Sequence, residues 1–122
     1  MKVVLINAPF DIPKMFGFRF KTKRMIHQPL GIGYLAAGLE TKGHEVAFID
    51  SQALSLDIDQ TLLNIKAEKP GLIGISCFAL GRFIVYELVR KIFEELPGLP
   101  VVLGGPQVTA FTDQVFRECP EL

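Results

Sequence analysis

Four short, largely apolar runs recur along the chain, and segments with the spacing of amphipathic helices separate them. The runs lie at residues 2–6, 44–50, 72–77 and 101–103. Strands that are buried on both faces have this composition, because neither face needs to be polar. When such strands alternate with helices, they form a parallel sheet with right-handed crossovers and with helices on both faces. The pattern therefore predicts a doubly wound α/β fold.

Turn and cap residues place four helices between and after these strands. The first runs from about residue 30 to 42, with Pro29 near its first turn and Gly43 at its end. Asp57 is the expected N-cap of the second helix, which Pro70 and Gly71 end. One side of the third helix is apolar and consists of Val85, Leu88, Val89, Ile92, Phe93 and Leu96. A single fourth helix is expected to carry Val108, Phe111 and Val115. We expect the flavodoxin-like strand order 2-1-3-4, with a crevice between the first and third strands.

Composition and charge exclude several classes of protein. The 122 residues are 49% hydrophobic, which suits one domain with a single core. Thirteen Lys and Arg balance thirteen Asp and Glu, so the net charge gives no reason to expect nucleic acid as a partner. No run approaches the ~18 apolar residues of a membrane span, and the N-terminus lacks a signal peptide. Cys77 and Cys119 fit no metal-binding spacing, and two unpaired cysteines suggest a reducing compartment. Together with the missing membrane span and signal peptide, this leads us to expect a cytoplasmic protein without a membrane partner.

The last residues, 119–122, stand where a fifth strand would normally begin. The apolar run at residues 101–103 would then form an open edge of the sheet. We therefore expect residues 1–122 to be a single domain and the N-terminal fragment of a longer protein.

Two adjacent glycines follow the fourth predicted strand, in the run PVVLGGP at residues 100–106. Ligands bind to open α/β sheets outside the carboxyl ends of the strands, and glycine there leaves bare backbone for a bulky group to contact. Three segments should meet at this edge and form the candidate binding site: Asn7-Ala8-Pro9, Ser76-Cys77-Phe78 and Gly104-Gly105-Pro106-Gln107. Ser76 offers a hydroxyl to a polar group of a ligand. Cys77 has no histidine or carboxylate beside it in the sequence, so we expect a structural role for it and no catalytic residue.

Residues 10–28 form a long connection between the first strand and the first helix, where about 2–6 residues are common. Four phenylalanines alternate with five Lys or Arg residues in this loop, and Asp11 alone opposes them. Such a loop can stack on a planar ligand and neutralise a phosphate, or it can contact single-stranded RNA. One alternative function is therefore a cofactor-free docking or RNA-contacting module that binds through this loop.

Residues 31–36 (GIGYLA) fit the Gly-x-Gly-x-x-Ala fingerprint of dinucleotide binding, and Asp50 ends the next strand. The fingerprint needs its first glycine directly after the strand, whereas more than twenty residues separate Pro9 from Gly31. We expect Gly31 and Gly33 to let the helix pack closely on the sheet. A dinucleotide-binding domain is the second alternative.

The order and spacing of several short motifs resemble the N-terminal cobalamin (vitamin B12)-binding domain of radical S-adenosylmethionine enzymes. The resemblance covers nearly the whole chain and rests on the following residues: Asn7-Ala8-Pro9, residues 28–37 (QPLGIGYLAA), residues 43–46 (GHEV), Asp50, Gly74-Ile75-Ser76, residues 102–106 (VLGGP) and Thr109. Cobalamin-binding domains generally have a serine motif after the third strand and a Gly-Gly pair after the fourth. Ser76 and Gly104-Gly105 match both.

The resemblance implies a corrinoid that lies across the carboxyl edge of the sheet, with its nucleotide tail in the crevice between strands and helices. Ser76 and the Gly104-Gly105 backbone would then contact the tail. The corrin ring would lie on an apolar platform made by Ala8, Pro9, Phe78 and Ala79.

The resemblance also implies a larger, methyltransferase-like enzyme around this domain. Its S-adenosylmethionine and 4Fe-4S cluster are expected only beyond residue 122, because the three-cysteine cluster motif is absent from this chain. The Asp-x-His-x-x-Gly motif, whose histidine ligates cobalt in other cobalamin proteins, is absent as well, so no metal ligand is predicted. Gln107 stands where the family often has histidine. This chain alone is therefore expected to bind the cofactor and not to catalyse a reaction.

Overall fold

The computed structural model describes residues 1–10 and 28–122. In this part of the chain, four strands form one parallel sheet in the order β2-β1-β3-β4. The strands are β1 (Lys2–Asn7), β2 (Glu45–Asp50), β3 (Leu72–Ser76) and β4 (Val101–Gly104). The predicted doubly wound fold and its strand order are confirmed.

Five helices follow the strands in the described residues: α1 (Leu30–Thr41), α2 (Ile58–Glu68), α3 (Arg82–Glu95), α4 (Pro106–Ala110) and α5 (Thr112–Glu118). The predicted cap of α2 is present as a capping box. Asp57 Oδ1 accepts a hydrogen bond from the Gln60 backbone amide at 2.7 Å, and Gln60 Oε1 accepts one from the Asp57 amide at 3.0 Å. Both orphan amides at the start of the helix are therefore satisfied.

The prediction of a single fourth helix was wrong, because the chain leaves helical geometry at Phe111 (φ −136°, ψ 45°). The break turns α5 so that Val115 enters the core at 2% exposure, whereas Phe111 stays exposed. Pro106 occupies the first turn of α4, where its missing amide costs nothing. The apolar spacing of three and four suggested one helix face, but only Val108 and Val115 pack against the core.

The two faces of the sheet are packed unequally. On the first face, β1 and β3 contribute Val4, Ile6, Ile73 and Ile75 to a large apolar cluster under α2, α3 and α5. On the second face, a small cluster of Val3, Leu5 and Ile32 holds α1 against the sheet. The strand residues Phe48 and Val102 on this second face remain 45% and 53% exposed. Helices thus cover both faces, as predicted, but α1 shields only part of the second one.

The expectation that Gly31 and Gly33 allow close packing of α1 on the sheet was wrong. A Cβ added at either position would meet no described atom within 4 Å. The glycine that does permit close packing against the second face is Gly74, since a Cβ there would lie 2.8 Å from Leu5 Cδ2. The glycines of α1 therefore face away from the strands.

The adjacent glycines at the end of β4, Gly104 and Gly105, occupy different environments. A Cβ at Gly105 would lie 2.9 Å from the Cys77 carbonyl oxygen, and its backbone (φ +102°, ψ −179°) belongs to a region that only glycine adopts readily. A Cβ at Gly104 would meet no described atom within 4 Å. Gly105 is therefore required by the fold, whereas Gly104 borders open space.

This difference predicts opposite outcomes for two alanine variants. Gly105→Ala should lower the free energy of unfolding by about 3 kcal/mol, from backbone strain and the contact with the Cys77 carbonyl. Gly104→Ala should change it by less than about 1 kcal/mol. Urea denaturation of both variants measures the difference, and equal losses would contradict it.

Candidate functional site

A row of residues crosses the carboxyl end of the sheet, one from each strand. Register pairs Asn7 with Asp50 of β2 and with Ser76 of β3, and it pairs Ser76 with Gly104 of β4. Side chains alternate between the faces of a strand, and Leu5 and Leu72 on these strands belong to the second face. The row therefore lies on the second face, where only α1 packs among the described elements.

Three side chains at the β2 side of this row form a hydrogen-bonded network. Asn7 Nδ2 donates to Asp50 Oδ1 at 2.9 Å, and the backbone amide of Ala53 donates to the same oxygen at 3.1 Å. Gln52 Nε2 donates to Asn7 Oδ1 at 3.3 Å and to the Ala8 carbonyl at 3.1 Å. Asn7 is 6% exposed, so the network satisfies a nearly buried amide. It also fixes the backbone at the end of β1.

Ser76 and Gly104 stand at the other side of the row. Within residues 1–10 and 28–122, no group hydrogen-bonds to the Ser76 hydroxyl, which is partly exposed. Gly104 is exposed and adds no side chain. Strands β3 and β4 therefore end in a hydroxyl that no described residue binds, beside bare backbone.

Backbone hydrogen bonds join the segments that follow β3 and β4. The amide of Cys77 donates to the Gly104 carbonyl at 2.8 Å, and the amide of Gln107 donates to the Cys77 carbonyl at 3.3 Å. Gln107 is buried at 5% exposure, and Pro106 lies on the exposed side of α4. The structure thus brings the two predicted segments together, with Gly105 filling the space between them instead of leaving it open.

Cys77 points away from this edge into the core of the first face, and none of its surface is exposed. Burial raises the pKa of its thiol to about 11. A neutral, inaccessible thiol is a poor nucleophile. The predicted structural role fits this position, and Cys77 reaches the edge only through its backbone.

The loop after β3 supplies the exposed apolar surface at this edge. Phe78 and Leu80 are 54% and 60% exposed, and Ala79 between them is also exposed. Arg82 holds the loop, because its Nη1 donates to the Ala79 carbonyl at 2.9 Å and its Nε pairs with Glu118 at 3.3 Å. Of the predicted corrin platform, Phe78 and Ala79 are therefore on the surface, whereas Ala8 and Pro9 are buried.

A small cavity lies between β1 and β3 at this edge. Its volume of about 20 Å³ suits one water molecule. Its lining includes Asn7, Gln52, Ser76 and Phe78. A wider hollow of about 380 Å³ lies along the turn between α4 and α5, where Phe111, Asp113 and Arg117 are part of its wall. It is not lined by any residue of the row, so the polar row is the better candidate for a binding site.

Comparison with known proteins identifies the family of this chain. The family model of the B12 binding domain matches residues 20–122. The chain belongs to the B12-binding domain family. The family that the sequence motifs indicated is therefore confirmed.

Two larger proteins contain regions similar to this B12-binding domain. The uncharacterized methyltransferase PH0819 of Pyrococcus horikoshii is 32% identical over an alignment of 122 positions, which covers 98% of this chain and 25% of that protein. The cobalamin-dependent S-adenosylmethionine radical enzyme OxsB, solved with aqua-cobalamin and S-adenosylmethionine bound, shares the fold with a TM-score of 0.72 at 21% identity. That similarity covers 99% of this chain and 16% of OxsB. This B12-binding domain thus spans a quarter or less of the length of either protein.

One sequence expectation falls on residues that the structure does not describe. The basic, aromatic segment at 11–27, on which the RNA-contacting alternative depends, is not described.

Within residues 1–10 and 28–122, no three His, Cys, Asp or Glu side chains form a group that could hold a metal ion. No helix in the same part of the chain is long and apolar enough to cross a membrane. For the dinucleotide alternative, Asp50 is already engaged by Asn7 and Ala53.

Sequence reasoning missed Gln52 and Leu80 at this edge. Gln52 follows β2 by two residues, so the rule that functional side chains follow strand ends applies to it. Leu80 is an apolar residue directly after the predicted Phe78-Ala79 platform. The positions of Gln52 and Leu80 in the sequence could have indicated both residues. The contact between Gln52 and Asn7, however, depends on the register of β1 and β2.

Burial of both cysteines predicts slow thiol labelling and a loss of stability at high pH. The pKa values of Cys77 and Cys119 are about 11 in the folded chain against an ordinary value of 9.0, because burial disfavours the thiolates. Between these values the unfolded chain has lost protons that the folded chain still binds, so stability is full below pH 9.0 and falls toward about pH 11.

Titration with a disulfide reagent at pH 8 should label the folded chain only at the rate of unfolding, and it should label both thiols at once in guanidinium. Cys77→Ala, compared with wild type, should reduce the decrease in stability at high pH. Rapid labelling of Cys77 in the folded chain would show that the end of β3 opens.

Proposed function

We propose that this chain binds cobalamin across the carboxyl edge of its sheet and serves as the cofactor domain of a larger enzyme. The observation that carries the proposal is the end of the polar row, where the available Ser76 hydroxyl stands beside the bare backbone of Gly104. Both lie on the face of the sheet that α1 leaves partly uncovered. Because the chain belongs to the B12-binding domain family, cobalamin is the ligand that we propose for this part of the edge.

The chemistry of the edge fits the parts of a cobalamin molecule. The nucleotide tail is long and carries polar atoms, so it needs a hydrogen-bonding group and a path that side chains do not block. Ser76 and Gly104 provide these two features. The corrin ring is broad and largely apolar on its faces, and the exposed loop of Phe78, Ala79 and Leu80 offers a matching surface. The 20 Å³ cavity is too small for either part, so the ligand would lie over the edge and along the second face.

Within the larger enzyme, we assign binding and orientation to this chain. Bound cobalamin supplies a cobalt centre that can carry a methyl group. Two observations support a radical S-adenosylmethionine partner domain in the same polypeptide: the fold shared with OxsB and the relationship to a protein named as a methyltransferase. The S-adenosylmethionine and the 4Fe-4S cluster would belong to that partner domain.

The proposal is tested by titrating the purified chain with hydroxocobalamin and recording changes in the visible spectrum of the corrinoid. Gel filtration then shows whether the chain retains the corrinoid. Gly104→Leu should weaken binding at least about tenfold by blocking the tail, without loss of thermal stability, because its side chain projects into open space. Ser76→Ala should weaken binding about fivefold, the value of one hydrogen bond.

Gly38→Leu is the matched control, since Gly38 also borders open space but lies near the far end of α1. It should bind cobalamin as wild type does. No retained corrinoid in the wild type, or equal affinity of wild type and Gly104→Leu, would contradict the proposal.

A further inference from the structure

Gln52 uses only half of its hydrogen-bonding capacity within the described residues. Its amide nitrogen Nε2 donates to two oxygens, those of Ala8 and Asn7. Its carbonyl oxygen Oε1 has no hydrogen-bond partner in residues 1–10 and 28–122. Gln52 is partly exposed, and Oε1 is not among the buried side-chain atoms that lack a partner. With respect to the described part of the chain, Gln52 thus presents a free acceptor.

The network leaves no freedom to exchange the two ends of this amide. The Asp50 carboxylate accepts hydrogen bonds and cannot donate one, so Asn7 must turn Nδ2 toward it and Oδ1 toward Gln52. The Ala8 carbonyl is also an acceptor only. Two acceptors therefore face the Gln52 nitrogen, and a flipped amide would place its oxygen against both of them. The direction of the Gln52 side chain is fixed by its neighbours.

Gln52 also lies at the place where a ligand of this edge would pass. It lines the small cavity together with Ser76 and Phe78, which belong to the proposed tail contact and to the exposed apolar loop. A ligand that covers this edge would therefore meet the Oε1 acceptor, and it would need an N–H or O–H donor there to avoid leaving the oxygen unpaired.

We propose that Gln52 recognises a carboxamide side chain of the corrin ring, an inference that rests on the proposed binding of cobalamin. The rim of the ring bears primary carboxamides, and each of them has N–H donors that Oε1 can accept. Through Nε2, the same residue holds the Ala8 carbonyl and the Asn7 amide in place. Gln52 thus joins a ligand contact to the geometry of the segment after β1, and it selects for an amide over a carboxylate.

The test compares wild type with Gln52→Met, which keeps side-chain length but removes both hydrogen-bonding atoms. Asn64→Met is the matched control, because Asn64 is exposed on α2 and its side chain makes no hydrogen bond with another described residue. Each chain is titrated with hydroxocobalamin and with the isomeric cobalamin monocarboxylic acids, in which one carboxamide is a carboxylate. Thermal unfolding without ligand is measured beside each titration.

Wild type and Asn64→Met should bind at least one monocarboxylic acid about tenfold more weakly than cobalamin, since the carboxylate cannot donate to Oε1 and is repelled by it. Gln52→Met should bind cobalamin about tenfold more weakly than wild type and should no longer discriminate against that acid.

Two outcomes overturn this inference while the proposed function stands: unchanged affinity of Gln52→Met for cobalamin, or weaker binding with the discrimination retained. The second outcome would leave Gln52 with a purely structural role. A wild-type chain that binds no cobalamin overturns both proposals.

Discussion

The parallel register of the sheet decides what its carboxyl edge can bind. Because the strands run in one direction, their last residues meet in a single row, and each of these residues faces the same side. Asp50, Asn7 and Ser76 would otherwise be unrelated polar residues, separated by large distances in the sequence. A shift of one residue in any pair would turn that strand's polar end into the core and its apolar residues to the outside. The site is thus a direct product of the pairing that builds the fold.

The two sides of the polar row differ in how far their hydrogen-bonding groups are already paired. Toward β2, the Asp50 carboxylate, the Asn7 amide and the Gln52 amide form a network that fixes the backbone after β1. Toward β4, Ser76 and Gly104 leave hydrogen-bonding capacity and space that no residue of 1–10 or 28–122 uses. A rigid side beside an open side is the arrangement that a binding site requires, since a ligand gains most from groups that are already in place.

The sequence was sufficient for the strands, because apolar runs and turn residues act locally, and the strand order followed from the flavodoxin-like arrangement chosen for such a fold. It was insufficient wherever a side chain's role depends on a partner far along the chain. Nothing near Gly105 reveals that the Cys77 carbonyl lies against it, and nothing near Gln52 reveals Ala8. The break at Phe111 was missed for a related reason, since the spacing of Val108 and Val115 fits one helix equally well. Packing of α5 on the core decides between the two possibilities.

The unequal packing of the two faces separates the part of the domain that maintains the fold from the part that we propose to bind the ligand. Most of the buried apolar side chains belong to the first face, whereas Ile32 is the one buried residue of α1 among the described residues. Local opening draws on the least anchored elements, so α1 should detach at a lower free energy than global unfolding requires. Amide hydrogens of α1 would then exchange with solvent faster than those of β1 and β3. A long appendage could enter along the second face during such openings while the rest of the domain stays folded.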